Sequence, residues 1–267
     1  MTVLNGLDVS GWQPASIGNM VDYDFIITKA TEGTGFVNSS CEPVVQSAKR
    51  RDKCWGTYHF ARMGNSLVQA DYYLKHTEGY IGSGIMALDY EGAALHQGYG
   101  WAFQFCQRVI EITGIPPLVY ASLSQVKSLG LARLSLELNC GLWVAAYPNS
   151  RFQGYSQPPS PLAGVALYQY ASTGRLPGYA GNLDLNVFYG DSAAWQAYAS
   201  GGRAPKTVAE VMAETLATEP AETLVEEMAE LEMAAASEAS PIVESAKNAA
   251  KQKAAIWRNK LRQQDGG

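Results

Sequence analysis

The chain has 267 residues, 47% of them hydrophobic and 10% aromatic, and a formal charge of -5. That length supports a sizeable core in one large domain or two unequal ones, and the negative charge gives no reason to expect nucleic-acid binding. Cys41, Cys54, Cys106 and Cys140 are widely spaced and form no CxxC, which argues against a metal cluster or a disulfide-dense fold.

In chain order, strands are expected at 6–10 (GLDVS), 25–30 (FIITKA), 54–61 (CWGTYHFA), 84–91 (GIMALDYE), 117–122 (PLVYAS), 142–147 (LWVAAY), 165–171 (VALYQYA) and 183–188 (LDLNVF). Helical segments fit between several of them: EPVVQSAKRRD, NSLVQADYYLKHTE, YGWAFQFCQRVIEITG and LSQVKSLG. Apolar strands joined through helices imply a mainly parallel sheet with covered faces. Eight of them in so short a span point to an α/β fold, a compact β/α barrel. Helical signals thin out in the second half, so a doubly wound open sheet is the alternative. Either fold gathers functional groups at the C-terminal ends of its strands.

Composition breaks near SGGRAPK, residues 200–206. All the tyrosines and histidines precede the break, and Trp257 is the one aromatic after it. We therefore divide the chain into a main domain at 1–199, a linker at 200–206 and a helix-forming region at 207–267. Charge in that last region is sorted. Residues 210–244 carry ten glutamates and no lysine or arginine, and residues 247–262 carry six basic residues and no acid. A helical hairpin, a coiled-coil contact and a partly unstructured tail all fit this pattern. No stretch of 18 apolar residues occurs, and the N-terminus lacks a basic segment followed by an apolar run, so neither a membrane span nor an ordinary secretory signal is expected.

Acids stand at several predicted strand ends: Asp8, Glu32, the pair Asp89 and Glu91, and Asp184. Alternation along a strand points Asp89 and Glu91 the same way, with alpha carbons about 6 to 7 Å apart. Carboxyl groups at such a separation can flank one scissile glycosidic bond, and their mutual repulsion raises one pKa, as a general acid requires. A solvated strand end is the ordinary explanation of an isolated DxE. Closure of a barrel changes the balance, because its first and last strands are then neighbours. Asp8, Asp89, Glu91 and Asp184 would converge on one rim.

Aromatic residues gather at the same strand ends: Trp12, Tyr58, His59, Tyr90, Tyr120, Trp143, Tyr147, Tyr168 and Tyr170. Such groups stack on sugar rings, and plain core packing is the competing explanation. Of these, Trp12, Tyr58, His59, Tyr120, Tyr147 and Tyr168 are the candidate substrate contacts. His59 is either a satisfied core histidine or a hydrogen-bond partner of a carboxylate or of substrate. No GxGxxG, GxxxxGK, HExxH or GxSxG occurs, which removes the common nucleotide, zinc-protease and serine-hydrolase signatures. Magnesium held by the four acids is a chemically reasonable rival, but the aromatic setting favours a carbohydrate over a phosphate ester.

The segments GLDVSGWQ (6–13), TKATEGTGFVN (28–38), GTYHFAR (56–62), ALDYEG (87–92), PLVYAS (117–122), LWVAAY (142–147) and YQYASTGRLPGYAGNLDLNVF (168–188) resemble, in order, the family-25 glycoside hydrolases. These are lysozyme-like muramidases found in phage endolysins and bacterial autolysins. The resemblance implies an irregular β/α barrel of about eight strands with reduced late helices. It implies cleavage of the β-1,4 bond between N-acetylmuramic acid and N-acetylglucosamine, without metal or cofactor. Glu91 matches the family's general acid, Asp89 its DxE partner, Asp8 the acid of DVS and Asp184 the acid of DLN. One of Asp89 and Asp184 is expected to orient the substrate acetamido group or to assist attack. The implied partner is the peptidoglycan glycan strand, and the implied place of action is the bacterial wall. Cytoplasmic accumulation before holin-type release and attachment to a virion both fit. For the tail, contact of its basic end with anionic wall polymers or a membrane surface stands beside self-association. The alternative to an enzyme is an inactive wall-binding or virion structural protein on the same barrel.

Overall fold

A computed structural model describes residues 2–148 and 152–202. The helices expected over 207–267 lie outside the described residues. Nine strands form one sheet: β1 (Leu4–Val9), β2 (Phe25–Glu32), β3 (Phe36–Val37), β4 (Cys54–Phe60), β5 (Ile85–Asp89), β6 (Leu118–Ser122), β7 (Gly141–Ala145), β8 (Val165–Leu176) and β9 (Tyr179–Phe188). Their order is β1-β9-β8-β7-β6-β5-β4-β2-β3, and β1 also pairs with β2. Eight strands therefore close into a barrel, and β3 is a two-residue addition antiparallel to β2. All eight strands expected from sequence are present, and the open-sheet alternative is excluded by the β1–β2 pairing.

One feature of the sheet departs from expectation. The last strand, β9, runs antiparallel to both of its neighbours, β8 and β1. Two residues, Pro177 and Gly178, separate β8 from β9. Antiparallel strands can be joined by so short a turn, whereas a parallel return needs a crossover of a dozen residues or more. Proline presets its own φ, and Gly178 takes φ +97, a value that suits glycine. A Cβ at Gly178 would also lie 1.8 Å from the Met20 carbonyl oxygen.

Helices cover the outside. They are α1 (Ile17–Met20), α2 (Cys41–Arg50), α3 (Ser66–Thr77), α4 (Gly98–Thr113), α5 (Leu123–Ser128), α6 (Arg133–Glu137) and α7 (Ser192–Ser200). The long ones, α2 to α4, serve the first half of the barrel. Among the described residues no helix stands between β7 and β8. Asn65 caps α3 by accepting from the backbone N–H groups of Leu67 and Val68. None of the described helices is long and apolar enough to cross a membrane.

Strand alternation sorts the core into two layers. Phe25 and Ile27 of β2 and Ile85 and Ala87 of β5 fill the barrel interior. Ile26, Met86 and Leu88 on the same strands face the helices instead. Trp195 of α7 is fully buried against Phe25 (ring centroids 4.7 Å apart) and Phe188 (5.1 Å). Its Nε1 donates to the Trp55 carbonyl at 3.2 Å. Phe25 starts β2 and Phe188 ends β9, so α7 closes the end of the barrel opposite the carboxylates.

The closing seam tolerates no side chain beneath Asp8. A Cβ at Gly6 would sit 2.2 Å from the Phe25 carbonyl oxygen and 2.5 Å from its ring. Gly6→Ala is expected to destabilise the barrel by about 1–3 kcal/mol through overpacking. A drop in the urea midpoint at unchanged m-value would verify it, and an unchanged midpoint would contradict the close approach.

Candidate active site

The four acids reach one rim by two routes. Asp8 is the penultimate residue of β1, and Asp89 is the last residue of β5. Asp184 is not at a strand terminus, as the sequence reading had it, but sixth of the ten residues of β9. The reversed direction of β9 brings it to the rim, where it pairs in register with Asp8. Glu91 follows β5 in extended backbone, φ -146 and ψ -178, just before the 3-10 turn Gly92–Gln97.

Tyr90 shows which way that short segment faces. It is fully buried and stacks on Trp101 of α4, ring centroids 5.3 Å apart and planes 6° from parallel. Its hydroxyl donates to the carbonyls of Ala94 (3.0 Å) and Gly98 (2.8 Å). Tyr90 therefore belongs to the outer layer, and alternation turns Asp89 and Glu91 inward together.

Burial raises the pKa of every member of this group, and the neighbouring acids raise most of them further. Asp8 is pushed up to about 6 by desolvation, against hydrogen bonds from Asn186 and Gln169 that favour its anion, with Glu91 adding repulsion. Asp184 is pushed up to about 8 by desolvation and by the charges of Asp8 and Glu91. Asp89 is raised well above the usual carboxylate range by desolvation, then by Glu91 and Asp8. Glu91, half-buried, is raised by desolvation, and the Lys29 ammonium pulls the other way. Asp89 has one further peculiarity: its Oδ1 is buried without a hydrogen-bond partner among the described residues.

Two residues absent from the sequence-based set hold the group in place. Gln169 Nε2 and Asn186 Nδ2 both donate to Asp8 Oδ2, at 2.6 and 2.7 Å. Gln169 Oε1 in turn accepts from the hydroxyls of Tyr120 (2.9 Å) and Tyr147 (2.5 Å). Asn186 Oδ1 accepts from Trp143 Nε1 at 2.8 Å. The available signal was a lone amide inside each apolar strand, YQYA and DLNVF, since a buried amide needs partners.

The aromatic candidates divide. Tyr58, Tyr120 and Trp143 form the inner layer directly under the acids, with Trp143 edge-on to Tyr58 (6.3 Å) and Tyr120 (4.9 Å). Tyr147 is half-exposed beside Gln169, and Trp12, 91% exposed, stands on the loop that follows β1. His59 and Tyr168 do not join them. His59 is fully buried on the outward side of β4, stacked on Phe105 at 5.2 Å. Its Nδ1 bonds Thr31 Oγ1 (2.8 Å) and its Nε2 bonds Gln69 Oε1 (3.1 Å). This is the satisfied core histidine of the two alternatives, and burial drives its pKa down to about 4. Tyr168 packs in the outer layer and donates to the Ala146 carbonyl at 2.7 Å. Both were misplaced for one reason: strand alternation sends neighbours of an inward residue outward, and the sequence reading took whole strand ends together.

Among the described residues, no group of three or more histidine, cysteine, aspartate or glutamate side chains is arranged to hold a metal ion. All four cysteines are free thiols. The arrangement instead offers proton-bearing carboxyl groups at a rim floored by aromatic rings.

Known proteins resemble this chain in sequence and in fold. Lysozyme M1 of Streptomyces globisporus is 27% identical over 216 residues, 74% of this chain and 71% of that protein. The N,O-diacetylmuramidase of Arthroderma benhamiae is 28% identical over 216 residues, 74% of this chain and 88% of that one. A bacterial lysozyme from Streptomyces coelicolor superposes with a TM-score of 0.61 at 25% identity, covering 76% of this chain and 100% of that structure. The family description "Glycosyl hydrolases family 25" matches residues 7–179, a span that takes in Asp8, Asp89 and Glu91 and stops short of Asp184. With its closed barrel, the inward pair at the end of β5 and a match over more than half its length, this chain belongs to glycosyl hydrolases family 25 and is a glycoside hydrolase.

Proposed function

We propose that this enzyme is an N-acetylmuramidase that cleaves the β-1,4 bond between N-acetylmuramic acid and N-acetylglucosamine in peptidoglycan, with Glu91 as general acid. The observation that carries the reading is the contrast within the β5 pair. Asp89 is buried and its Oδ1 lacks a partner among the described residues, while Glu91, two residues on, is half-open at the rim with a raised pKa. Lysozyme and muramidase relatives supply the substrate class.

In this mechanism the glycan lies across the rim against Trp12 and Tyr147. Protonated Glu91 gives its proton to the glycosidic oxygen as the C–O bond breaks, so the leaving sugar departs as a neutral alcohol. Four crowded carboxyl groups cannot all ionise. Asp8, whose anion receives two amide hydrogen bonds, is the one best suited to carry negative charge. That charge stabilises the oxocarbenium-like centre in a poorly solvated setting. Asp89 Oδ1 accepts from the acetamido N–H of the substrate and so satisfies its own buried oxygen. Asp184, near Asp8, positions the group that attacks the anomeric carbon.

Digestion of purified peptidoglycan followed by mass spectrometry is the direct test. Products with reducing-end muramic acid are expected. Reducing-end glucosamine or severed peptide amides would refute the assignment, and undigested wall would favour an inactive wall-binding protein. Glu91→Gln is expected to lower turnover by about 10²–10⁴-fold while wall binding persists. Turbidity clearing and a wall pull-down measure the two effects separately.

The proton inventory of the rim also has a stability signature. An aspartate titrates near 4 in an unfolded chain, and Asp184 titrates at about 8 when folded. Between those values the folded state holds a proton that the unfolded state has shed, so this residue lowers stability as pH rises from 4 to 8. Asp184→Asn is expected to raise the thermal midpoint at pH 8.5 by a few degrees and to change it little at pH 4. A larger gain at pH 4 would contradict the raised pKa. Activity should fall in the same variant at both pH values.

A further inference from the structure

Beside the acids lies a second concavity that the mechanism does not use. The loops after β2 and β4 and the first turn of α3 enclose about 470 Å³, lined by Phe36, Arg62, Met63 and Val68 together with Glu32 and Gln69. Phe36, Met63 and Val68 are all roughly half-exposed. Exposed apolar groups gathered in one place mark an interaction surface more often than isolated ones do.

The wall of this concavity is pre-built. Gln69 grips the backbone of Arg62 from both sides, accepting from its N–H at 2.9 Å and donating to its carbonyl at 2.8 Å. Gln97 Oε1 accepts from the Gly64 N–H at 2.9 Å, and Trp101 Nε1 donates to the Gly64 carbonyl at 2.6 Å. The backbone is satisfied while the side chains stand open. A ligand would lose little freedom of the protein on binding there.

Charge and position narrow the occupant. Lys29 Nζ bonds Glu32 Oε2 at 2.7 Å, and Arg62 bonds Glu32 Oε1 through Nε at 2.8 Å and through Nη2. Two cations share one carboxylate, and Lys29 also lies within reach of Asp89 and Glu91, so Arg62 is the cation that the hollow presents. Arg62 Nη1 bonds no acceptor among the described residues. β2 and β4 are paired, β4 pairs with β5, and the charge of Glu32 reaches Asp89, so this hollow lies beside the Asp89–Glu91 rim. The ligand chemistry is thus an acidic chain with small apolar groups, attached to whatever lies on the acids. A second sugar fits less well. The lining mixes polar groups with Phe36, Met63 and Val68, and Phe36 is the single aromatic face on which a sugar ring could stack.

We propose that this hollow is a subsite for the peptide stem carried on the lactyl group of the substrate's muramic acid. Arg62 Nη1 pairs with a stem carboxylate, and Phe36, Met63 and Val68 cover the small alkyl side chains. The inference rests on the muramidase reading above. It makes the enzyme's preference depend on the peptide as well as on the glycan, because remote binding energy can be used at the reacting bond.

The test compares two substrates: soluble glycan chains bearing their stems, and the same chains stripped of stems by an amidase. Wild type is expected to show at least fivefold higher kcat/KM on stem-bearing chains. The double variant F36S/V68S, altered only at half-exposed positions, should lose that preference while keeping its rate on bare chains. Arg62→Gln should lose it too, and unchanged thermal midpoints would show that both variants fold. Equal losses on the two substrates, or a preference that survives in both variants, would overturn the subsite and leave the muramidase reading intact. A wild type that cuts neither substrate would overturn the muramidase reading itself.

Discussion

Two side-chain amides meet on a single oxygen. Gln169 from β8 and Asn186 from β9 both donate to Asp8 Oδ2 on β1, and the rest of the rim is organised around that contact. Hydrogen bonds to a charged acceptor are the stronger kind, and a buried carboxylate left without them would take up a proton or open the site to water. The contact also ties three adjacent strands together where the barrel closes. Its outer partners, Trp143 on Asn186 and Tyr120 and Tyr147 on Gln169, carry the order out to the aromatic floor. Catalytic geometry and barrel closure are here one hydrogen-bond network, which is why the site sits at the seam rather than elsewhere on the rim.

Much of this was legible in the sequence, for definable reasons. Eight apolar stretches separated by turn or helix signals were enough for a barrel, because each stretch is buried on both faces. The pair Asp89 and Glu91 was legible because alternation is strictly local. The direction of β9 was not read, although Pro177-Gly178 is a turn signal, because a two-residue link implies an antiparallel return only once the strand limits are known. Gln169 and Asn186 escaped because their task depends on a carboxylate 161 and 178 residues away. No local pattern records such a distance. His59 and Tyr168 were drawn toward the site for the opposite reason: proximity in sequence to a strand end carries no information about facing.

The wall of β4 and β5 separates two polar sites with different rules. On the inner side, carboxyl groups are crowded and their pKa values raised by burial and by one another, as is common where chemistry is done. On the outer side, His59, Thr31 and Gln69 form a closed network in which each polar atom named has a partner. That network ends at the backbone of Arg62, and the stack of Tyr90 on Trp101 fixes the residue next to Glu91. The helix layer thus does more than shield the strands. It sets the angle at which both the DxE segment and the β4–α3 loop leave the barrel.

His59 has a consequence for acid tolerance. Its folded pKa near 4 lies below the 6.5 of a free imidazole. As pH falls from 6.5 toward 4 the unfolded chain gains a proton that the folded chain refuses, so this residue favours unfolding on acidification. The rim acids act with the reverse sign over an overlapping range, favouring the folded state as protons are added. One strand wall therefore carries two opposed proton ledgers, one per face. Between about pH 4 and 6.5 the two effects oppose each other, one histidine against several rim acids, so the rim sets the sign of the barrel's net response to mild acid. A histidine outside the chemistry thus takes back part of the stability that the rim acids gain on acidification.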